Sequence, residues 1–365
     1  KNIHLKISSP NEPMTILKTR FIRDNYPDII GIGGDMDFSN FQEAGLLADV
    51  SGYKGLEKIK PAYIEIINGL KFVPTPGVFG VPYMANAAGI LYNKDIFDSH
   101  GWEIPETWSD FIKLCDDIKA AGILPMYFGF KDTWTTLAPW NALAVDLVRA
   151  DVCQEVNLGN ATFAKEYREV AEKIYSMLKY AEPGPFAYGY NDACTAFARG
   201  ESAMYVIGNY AIPQILSVNP TMNIDSFVMP GREDPNAHTL NSGVDIMFCV
   251  MEACPNKDAA YEVIDFLLDP ENIQSYVNDQ NSVPCQIGNF KLTPMLNGMR
   301  KYIDAGKMAD YHDHHYPSEM AVDAQIQTYL LHGDINAFLA KFDTDWVRYN
   351  RDIIEKLKKY NASHK

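Results

Sequence analysis

Basic residues are scarce in this sequence: 32 Lys and Arg stand against 47 Asp and Glu, which gives a formal net charge of −15 at pH 7. Nucleic-acid backbones and anionic membrane surfaces attract proteins through basic patches, so we expect neither as a partner. The sequence also has no apolar run of the ~18–20 residues that a membrane-spanning helix needs, and residues 1–10 lack the pattern of a secretory signal peptide. A neutral or weakly charged ligand fits this composition better.

Cysteine is also scarce, with six residues in 365 and no C-x-x-C pair or zinc-site spacing. This scatter favours mostly buried free thiols, with one or more disulfides as the alternative. The cysteines are Cys115, Cys153, Cys194, Cys249, Cys254 and Cys285.

The motifs of common catalytic and cofactor sites are missing. In GIGGDMDF, Met36 occupies the place of the third glycine of a dinucleotide-binding G-x-G-x-x-G motif, so we interpret this stretch as a tight turn or ligand-facing loop. The sequence has no phosphate-binding loop, H-E-x-x-H or G-x-S-x-G motif. YHDHHYP, Tyr311–Pro317, could in principle hold a metal, but adjacent loop residues rarely converge on one ion, and we favour a polar surface or cleft edge. We therefore predict no cofactor and no metal.

Strand-like and helix-like runs alternate along most of the chain. This pattern predicts an α/β fold with mostly parallel sheets flanked by helices, and the length suggests two domains. Near the start we expect a strand at Ile3–Ile7, a helix at Met14–Asn25 and a strand at Asp28–Ile32. From about Leu292 onward the strand pattern stops, so the C-terminal region is expected to be helical.

Several helix starts carry capping side chains. Asn93, Thr107 and Asn256 each precede an apolar periodic run, and Asp269 stands before a proline that suits a first helical turn. Between two apolar runs, Ala85–Gly89 contains only small side chains around one amide. The alternatives for this stretch are a chain crossing between two bodies and a buried strand with tight neighbours.

Several separate stretches, taken in order, resemble the extracellular solute-binding proteins (family 1) that serve ABC sugar importers, particularly the maltodextrin and multiple-sugar binders. They are GLLADVSGY, VPYMANAAGILYNKDIFDSHGWEIPETWSDF, FARGESAMYVIGNY, CPNKDAAYEVIDFLLDPENIQSYVN and NSVPC. The resemblance covers nearly the whole chain. It implies a two-lobed periplasmic-binding-protein-like (Venus flytrap) fold, with a sugar held between lobes that close over it.

The resemblance also implies domain boundaries. The first lobe would comprise residues 1–84 and 245–293, the hinge crossings 85–89 and 241–245, and the second lobe 90–240 and 294–365. Proteins of this type begin with an export signal, often a lipid-attachment cysteine, and then a strand and a helix. This sequence starts at what resembles their second strand, so we expect the first strand and helix of the lobe to be missing.

The function that the resemblance implies is reversible, non-catalytic sugar binding in a bacterium. The protein would capture a di- to tetrasaccharide as a monomer and deliver it to the membrane permease subunits of an ABC importer. Its location would be extracellular and cell-surface attached, as a lipoprotein, or periplasmic. One alternative is a glycosidase or transferase that uses cleft carboxylates as acid and base, and another is an adhesin or scaffold that shares the fold.

Sugar recognition needs planar polar groups for the hydroxyls and aromatic rings for the C–H face. Asn86 fits because an amide among alanines has no obvious partner, while Trp134 and Tyr210 match stacking positions of the family. Trp140 is either a further stacking residue or part of the core, and a solvated turn is the alternative for the first two aspartates of the set. The predicted ligand-binding residues are Asp35, Asp37, Asn86, Lys131, Asp132, Trp134, Asn209, Tyr210, Ser242, Gly243, Asp245 and Asn281.

Overall fold

Two β-sheets organise the fold in the computed structural model, which describes residues 3–364. The first sheet has the strand order β1-β8-β2-β9, and the second has the order β10-β7-β3-β5-β4, with β6 also paired to β3. The strands are β1 (Ile29–Ile32), β2 (Val81–Ala85), β3 (Ala88–Asn93), β4 (Leu124–Tyr127), β5 (Ser202–Gly208), β6 (Ile224–Phe227), β7 (Leu240–Asn241), β8 (Val244–Val250), β9 (Val283–Pro284) and β10 (Met308–Ala309).

Helices cover both sheets, which confirms the predicted α/β class. The α-helices are α1 (Pro13–Ile22), α2 (Met36–Glu43), α3 (Pro61–Gly69), α4 (Lys94–His100), α5 (Trp108–Ala120), α6 (Leu137–Leu147), α7 (Val152–Leu158), α8 (Phe163–Glu166), α9 (Arg168–Met177), α10 (Tyr190–Ala198), α11 (Ile212–Val218), α12 (Lys257–Leu267), α13 (Pro270–Gln280), α14 (Asn297–Ala305), α15 (Val322–His332), α16 (Ile335–Tyr349) and α17 (Arg351–Ser363). Short 3-10 turns lie at Lys54–Lys58, Thr133–Thr136, Leu178–Tyr180, Asn209–Ala211, Pro294–Leu296, His312–His315 and Ser318–Met320. Among the helices of residues 3–364, none combines the length and apolarity needed to span a bilayer.

The prediction of mostly parallel sheets is wrong. β4 pairs with β5 and β10 with β7 in parallel, but β8 runs antiparallel to both β1 and β2, and β3 runs antiparallel to β5, β6 and β7. Alternating strands and helices are typical of parallel βαβ units. Here β8, which arrives late in the chain from the second sheet, lies between β1 and β2, so the pairing that the alternation predicts does not occur.

The start of the described chain also differs from the prediction. Ile3–Ile7 is not a strand, and Leu5 and Ile7 are exposed. Strand-like residues need a partner strand to pair with, and none lies beside them. The expected helix at Met14–Asn25 is present but ends at Ile22, and the expected strand at Asp28–Ile32 begins at Ile29.

The predicted helix caps are confirmed. The side chains of Asn93, Thr107, Asn256 and Asp269 each accept a hydrogen bond from a backbone N–H in the first turn of α4, α5, α12 and α13, respectively. The helical C-terminal region is also confirmed, with β10 as a two-residue exception that pairs with β7. These features depend on neighbours in sequence, which explains why the sequence predicts them well.

The core fills both faces of the second sheet. Along β5, Met204 and Val206 face the helices around α6, while Tyr205 and Ile207 belong to the apolar cluster on the other face. Trp140 on α6 is fully buried, and its Nε1–H donates to the Tyr316 hydroxyl at 3.2 Å, so Trp140 is a core residue. All six thiols, within the described range, are free; five are buried and the sixth is partly buried.

Only two residues, Asn86 and Ala87, separate β2 in the first sheet from β3 in the second. A second crossing lies at Ser242 and Gly243, between β7 and β8. Gly89 ends the stretch of small side chains at Ala85–Gly89. A Cβ at this position would lie 2.6 Å from the Phe227 carbonyl oxygen, so tight packing explains why residue 89 is a glycine. That the two crossings act as hinges between lobes stays a prediction.

Candidate ligand-binding cleft

The two crossings are joined by a hydrogen bond between predicted ligand residues. Asn86 Nδ2 donates to Asp245 Oδ1 at 3.1 Å, and the Asn86 backbone N–H donates to the Gly243 carbonyl oxygen at 3.1 Å. The expectation that the Asn86 amide has no partner is therefore wrong, because its partner is far away in sequence. Its Oδ1, however, accepts no bond from any residue in 3–364, and both Asn86 and Asp245 are only partly buried. The pair can still offer one amide oxygen and one carboxylate oxygen to a ligand.

Two other predicted ligand residues, Asn209 and Ser242, are buried and bonded within the protein. Asn209 accepts from the Ala87 backbone N–H at 2.7 Å and donates through Nδ2 to the Asn281 carbonyl oxygen at 2.9 Å. Ser242 is fully buried, and its hydroxyl lies 3.4 Å from that of Tyr63. The polar groups of both residues hold the crossings in place, and their contact with a ligand stays a prediction. Asn281, the left-handed residue that ends α13, contributes its carbonyl oxygen to the same link.

Gly243 allows a close approach between the second crossing and the histidine-rich segment, which we define as residues 310–316. A Cβ at Gly243 would lie 2.8 Å from His314 Cε1 and would overlap Asp310 Oδ1. This close packing explains why position 243 needs a glycine, and the expected ligand contact of its backbone stays a prediction.

Asp35 and Asp37 begin α2. Asp35 caps the helix by accepting from the Asp37 backbone N–H at 2.9 Å, and Asp37 forms an ion pair with Lys18 at 2.7 Å. Both are partly buried at the start of a helix, and their role as ligand contacts stays a prediction. Burial raises the pKa of Asp35, while its own backbone bond and the nearby His314 act in the opposite direction. Asp35 thus faces the histidine-rich segment from the first-sheet side.

Three aromatic side chains form a surface beside the crossings, which we call the aromatic platform. Trp134 follows β4 in a 3-10 turn and is 40% exposed, and its ring centroid lies 5.0 Å from that of Tyr190 and 6.3 Å from that of Tyr210. Tyr210 follows β5 in another turn. Burial and the charges of nearby Asp313 and Asp245 raise the pKa of Tyr210, which places it beside the crossing carboxylate. Tyr210 therefore connects the platform to the polar pair.

Sequence reasoning missed Tyr190, although the aromatic stretch AYGYND was a usable signal. Asp132 holds this tyrosine: its Oδ2 accepts from the Tyr190 backbone N–H at 2.7 Å. Neighbouring Lys131 is exposed, and its backbone N–H donates to the Tyr188 carbonyl oxygen at 2.9 Å. Asp132 thus positions the platform, and Lys131 leaves its ammonium in solvent at the edge.

The histidine-rich segment supplies further groups that the prediction of ligand residues omitted. His314 Nδ1 lies 2.9 Å from Asp310 Oδ1, and its ring stacks on Tyr311 with centroids 4.9 Å apart. Burial lowers the pKa of His314, but the carboxylates of Asp310, Asp313 and Asp35 outweigh it and raise the pKa to about 9. At neutral pH, His314 is therefore an imidazolium among carboxylates. Over residues 3–364, no cluster of His, Cys, Asp and Glu suits a metal ion.

Together these groups form a site with one partly exposed aromatic platform and a polar edge. The edge consists of an amide, carboxylates and an imidazolium. Burial raises the pKa of Asp245, although the Asn86 hydrogen bond and the charge of His314 each act to lower it. Such groups accept and donate hydrogen bonds at fixed angles, while the rings offer a flat apolar surface. The arrangement suits reversible binding of a molecule with many hydroxyls.

The chain matches the family model for bacterial extracellular solute-binding protein over residues 1–274. A multiple sugar-binding protein from Streptococcus mutans is 27% identical over 299 residues, which are 77% of this chain and 67% of that protein. The melibiose/raffinose/stachyose-binding protein MelE from Bacillus subtilis is 21% identical over 330 residues, or 86% of this chain and 74% of that protein. Matches to binding proteins of Brucella abortus and Brucella suis span only 62% of their length.

The similar solved structures cover a larger share of this chain than the two relatives above do. The apo form of RafE from Streptococcus pneumoniae has a TM-score of 0.79 and 25% sequence identity, and covers 93% of this chain and 88% of that chain. A structure of the SBP RafE in complex with raffinose has a TM-score of 0.77 and 25% identity, with 93% and 89% covered.

Proposed function

Because the chain belongs to the family of bacterial extracellular solute-binding proteins, we propose that it captures a di- to tetrasaccharide between two closing lobes. Family membership confirms the prediction of a solute-binding protein rather than an enzyme, and the likeness to RafE confirms the two-lobed fold. The sugar would then pass to the permease subunits of an ABC importer. We place the protein outside the cytoplasmic membrane, as a monomer, and attachment as a lipoprotein is part of the proposal.

The observation that carries the proposal is the exposed Trp134 beside Tyr190 and Tyr210. Trp134 is 40% exposed, so only part of the hydrophobic free energy of burying its side chain is gained on folding. Two tyrosines nevertheless pack against it. A sugar ring stacked on this platform would cover the exposed face. The nearby Asn86 and Asp245 would then meet the hydroxyls at the rim of the same ring.

Raffinose is the first sugar to test. The related MelE is named for melibiose, raffinose and stachyose, and one similar solved structure contains raffinose. These sugars are neutral, which agrees with a cleft whose carboxylates outnumber its cations and which would repel an acidic sugar.

The proposed closure uses the two crossings as hinges, with the lobes at residues 1–84 and 245–293 and at 90–240 and 294–365. Each sheet lies within one proposed lobe, apart from four strand ends that reach one or two residues into the crossings: β2 and β7 end there, and β3 and β8 begin there. Rotation about two short crossings needs only a few backbone angles to change. Scattering in the presence of a saturating sugar should therefore show a more compact molecule, and an unchanged radius of gyration would contradict the closure.

One titration tests the binding function and the enzymatic alternative together. The protein is mixed with raffinose, stachyose, melibiose and maltotriose in turn, and the melting temperature, the binding heat and the products are followed. We expect at least one sugar to raise the melting temperature through mass action, with that sugar recovered intact. Release of monosaccharide would refute the proposal, as would the absence of binding to any of the panel.

A further inference from the structure

Glu182 is a buried carboxylate without a cationic partner. The residue is only 2% exposed, and within residues 3–364 its side chain forms no ion pair with a Lys, Arg or His side chain. Taking a carboxylate out of water costs free energy that a neutral side chain of similar volume would not cost. The carboxylate must therefore find its hydrogen-bond partners elsewhere in the fold.

Two consecutive backbone N–H groups directly after β4 are these partners. The Phe128 N–H donates to Glu182 Oε2 and the Gly129 N–H donates to Oε1, both at 2.9 Å. The two bonds act to lower the pKa of Glu182, although burial outweighs them and raises it. Hydrogen bonds to a carboxylate are roughly twice as strong as those between neutral groups. Glu182 therefore fixes two peptide groups at the end of the strand.

The second of these peptide groups begins the turn that contains Trp134. Gly129 has a left-handed backbone, with φ of 68°, and its carbonyl oxygen accepts from Thr135 Oγ1 at 3.0 Å. A Cβ at Gly129 would lie 2.7 Å from the carbonyl oxygen of Gly189, the residue before Tyr190. The peptide that Glu182 holds is thus in direct contact with both chain segments of the aromatic platform.

Glu182 also begins the second of these segments, residues 182–190. Near the end of the segment, the Lys131 N–H donates to the Tyr188 carbonyl oxygen at 2.9 Å, and the Tyr190 N–H donates to Asp132 Oδ2 at 2.7 Å. The segment is therefore attached to the turn after β4 at both of its ends. The Glu182 carboxylate makes the attachment at the start, and the other two bonds make it at the end.

We propose that Glu182 is a positioning residue that sets the separation of the Trp134 and Tyr190 rings and, through it, the affinity of the cleft for sugar. The inference rests on the proposed binding of sugar to the aromatic platform. The two ring centroids are 5.0 Å apart, and the rings lie on the two segments that Glu182 joins. A sugar can contact both rings only if their relative position is fixed, so a shift of one segment removes part of the contact.

The first test follows the Trp134 ring without any sugar. The sequence contains five tryptophans, so the full chain labelled with 5-fluorotryptophan has five labelled indoles, and Trp134→Phe identifies the fluorine resonance of Trp134. In Glu182→Gln an amide N–H₂ replaces one of the two acceptors and faces a backbone N–H. We expect the Trp134 resonance to shift or broaden in this variant. A Trp134 resonance at the wild-type position would refute the proposal.

Asp146→Asn is the matched control. Asp146 is also a fully buried carboxylate that accepts from a backbone N–H, that of Thr239 at 3.1 Å, but it lies outside the aromatic platform. This variant should lower the melting temperature and leave the Trp134 resonance in place. Glu182→Asp keeps the charge but shortens the side chain, so it should move the Trp134 resonance as Glu182→Gln does and serves if that variant does not fold. A shift of the resonance in Asp146→Asn would mean that any loss of stability moves the ring, which would overturn the proposal.

The second test measures raffinose binding by calorimetry. We expect the Kd to rise about threefold to tenfold in Glu182→Gln, as for the loss of one hydrogen bond, and to stay unchanged in Asp146→Asn. The same substitution in the Trp134→Ala background should change the Kd by a smaller factor, because the ring on which it acts is gone. Equal factors in both backgrounds, or an unchanged Kd in Glu182→Gln, would refute the effect on affinity. If the wild type does not bind raffinose, the proposed function fails for that sugar, while the fluorine resonance still decides whether Glu182 positions the ring.

Discussion

Replacing Trp134 with alanine should weaken sugar binding much more than it destabilises the fold. The indole is 40% exposed, so its contribution to folding comes mainly from one side, where Tyr190 and Tyr210 lie 5.0 and 6.3 Å away between ring centroids. Aromatic pairs of this kind contribute about 0.5–1.5 kcal/mol beyond area burial. Among residues 3–364, no third aromatic ring packs against the indole, so its exposed face is open to the proposed ligand.

The expected loss in affinity follows from covering that exposed face. Stacking aromatics at the centre of an interface cost about 1–3 kcal/mol when truncated, which at 1.4 kcal/mol per tenfold corresponds to about a 5- to 150-fold increase in Kd. Trp134→Phe keeps a flat ring and should lose less. Titration calorimetry with raffinose measures the affinity, and urea unfolding measures the stability of the same preparations.

Tyr175 on α9 provides the matched control. It is 43% exposed and packs against one aromatic neighbour, Tyr329, at 5.6 Å between ring centroids, but it lies outside the cleft. Tyr175→Ala should lower stability by an amount similar to that of Trp134→Ala and leave the Kd unchanged. If Trp134→Ala lowers the unfolding free energy like the control and also leaves the Kd unchanged, the aromatic platform does not bind the sugar and the reasoning is refuted.

Three further predictions concern polar groups. Asn86→Ala should weaken raffinose binding by about 1–3 kcal/mol, as measured by calorimetry. Because the substitution also breaks the bond to Asp245, it should lower the unfolding free energy in urea by about 1 kcal/mol. A raffinose Kd equal to that of the wild type would contradict the ligand role of Asn86. Carboxylates raise the pKa of His314 to about 9 in the folded state, so its protonation stabilises the fold fully below pH ~6.5 and progressively less as the pH rises through 9. The unfolding free energy should therefore fall between pH ~6.5 and about 9 in the wild type, and should fall less in His314→Gln. Asp146→Ala removes a buried carboxylate that is bonded to His238 Nδ1 at 2.9 Å and to the Thr239 N–H at 3.1 Å. It should lower the unfolding free energy in urea by about 3–5 kcal/mol and leave the raffinose Kd unchanged. A smaller loss of unfolding free energy would mean that the structure around residue 146 relaxes.

The sequence predicts the features that depend on near neighbours. Each cap at Asn93, Thr107 and Asn256 bonds a backbone N–H three residues ahead, so the spacing alone contains the information. The strand order does not have this property. β8 lies between β1 and β2 although more than a hundred residues of the second sheet separate it from β2, and no local pattern specifies that pairing.

The difference between near and distant neighbours in sequence also explains which features of the site the sequence predicts. Trp134 and Tyr210 follow the ends of neighbouring strands, where ligand sites of α/β folds occur, and the structure places them together. The bond partners of Asn86 and Asn209 lie 159 and 72 residues away. The sequence therefore could not tell that only the nitrogen of the Asn86 amide is bonded within the described residues, whereas both the oxygen and the nitrogen of the Asn209 amide are. The composition of the histidine-rich segment marks it as polar, but its position against Gly243 depends on packing between parts of the chain that are far apart in sequence.

The polar groups of the cleft already hold the fold together, and the proposed binding of sugar would use the same atoms. Asp245 accepts from Asn86 to join the crossings, and His314 lies between the carboxylates of Asp35 and Asp310 from different parts of the fold. A sugar hydroxyl that donates to Asp245 shares an acceptor that already holds the crossings together. If Asp245 binds the sugar as proposed, binding and the relative position of the two sheets share the same atoms, and Asn86→Ala, which frees Asp245, should alter closure as well as affinity. Scattering with and without raffinose separates the two effects, because a pure contact residue would change the Kd but leave the compaction at saturation intact.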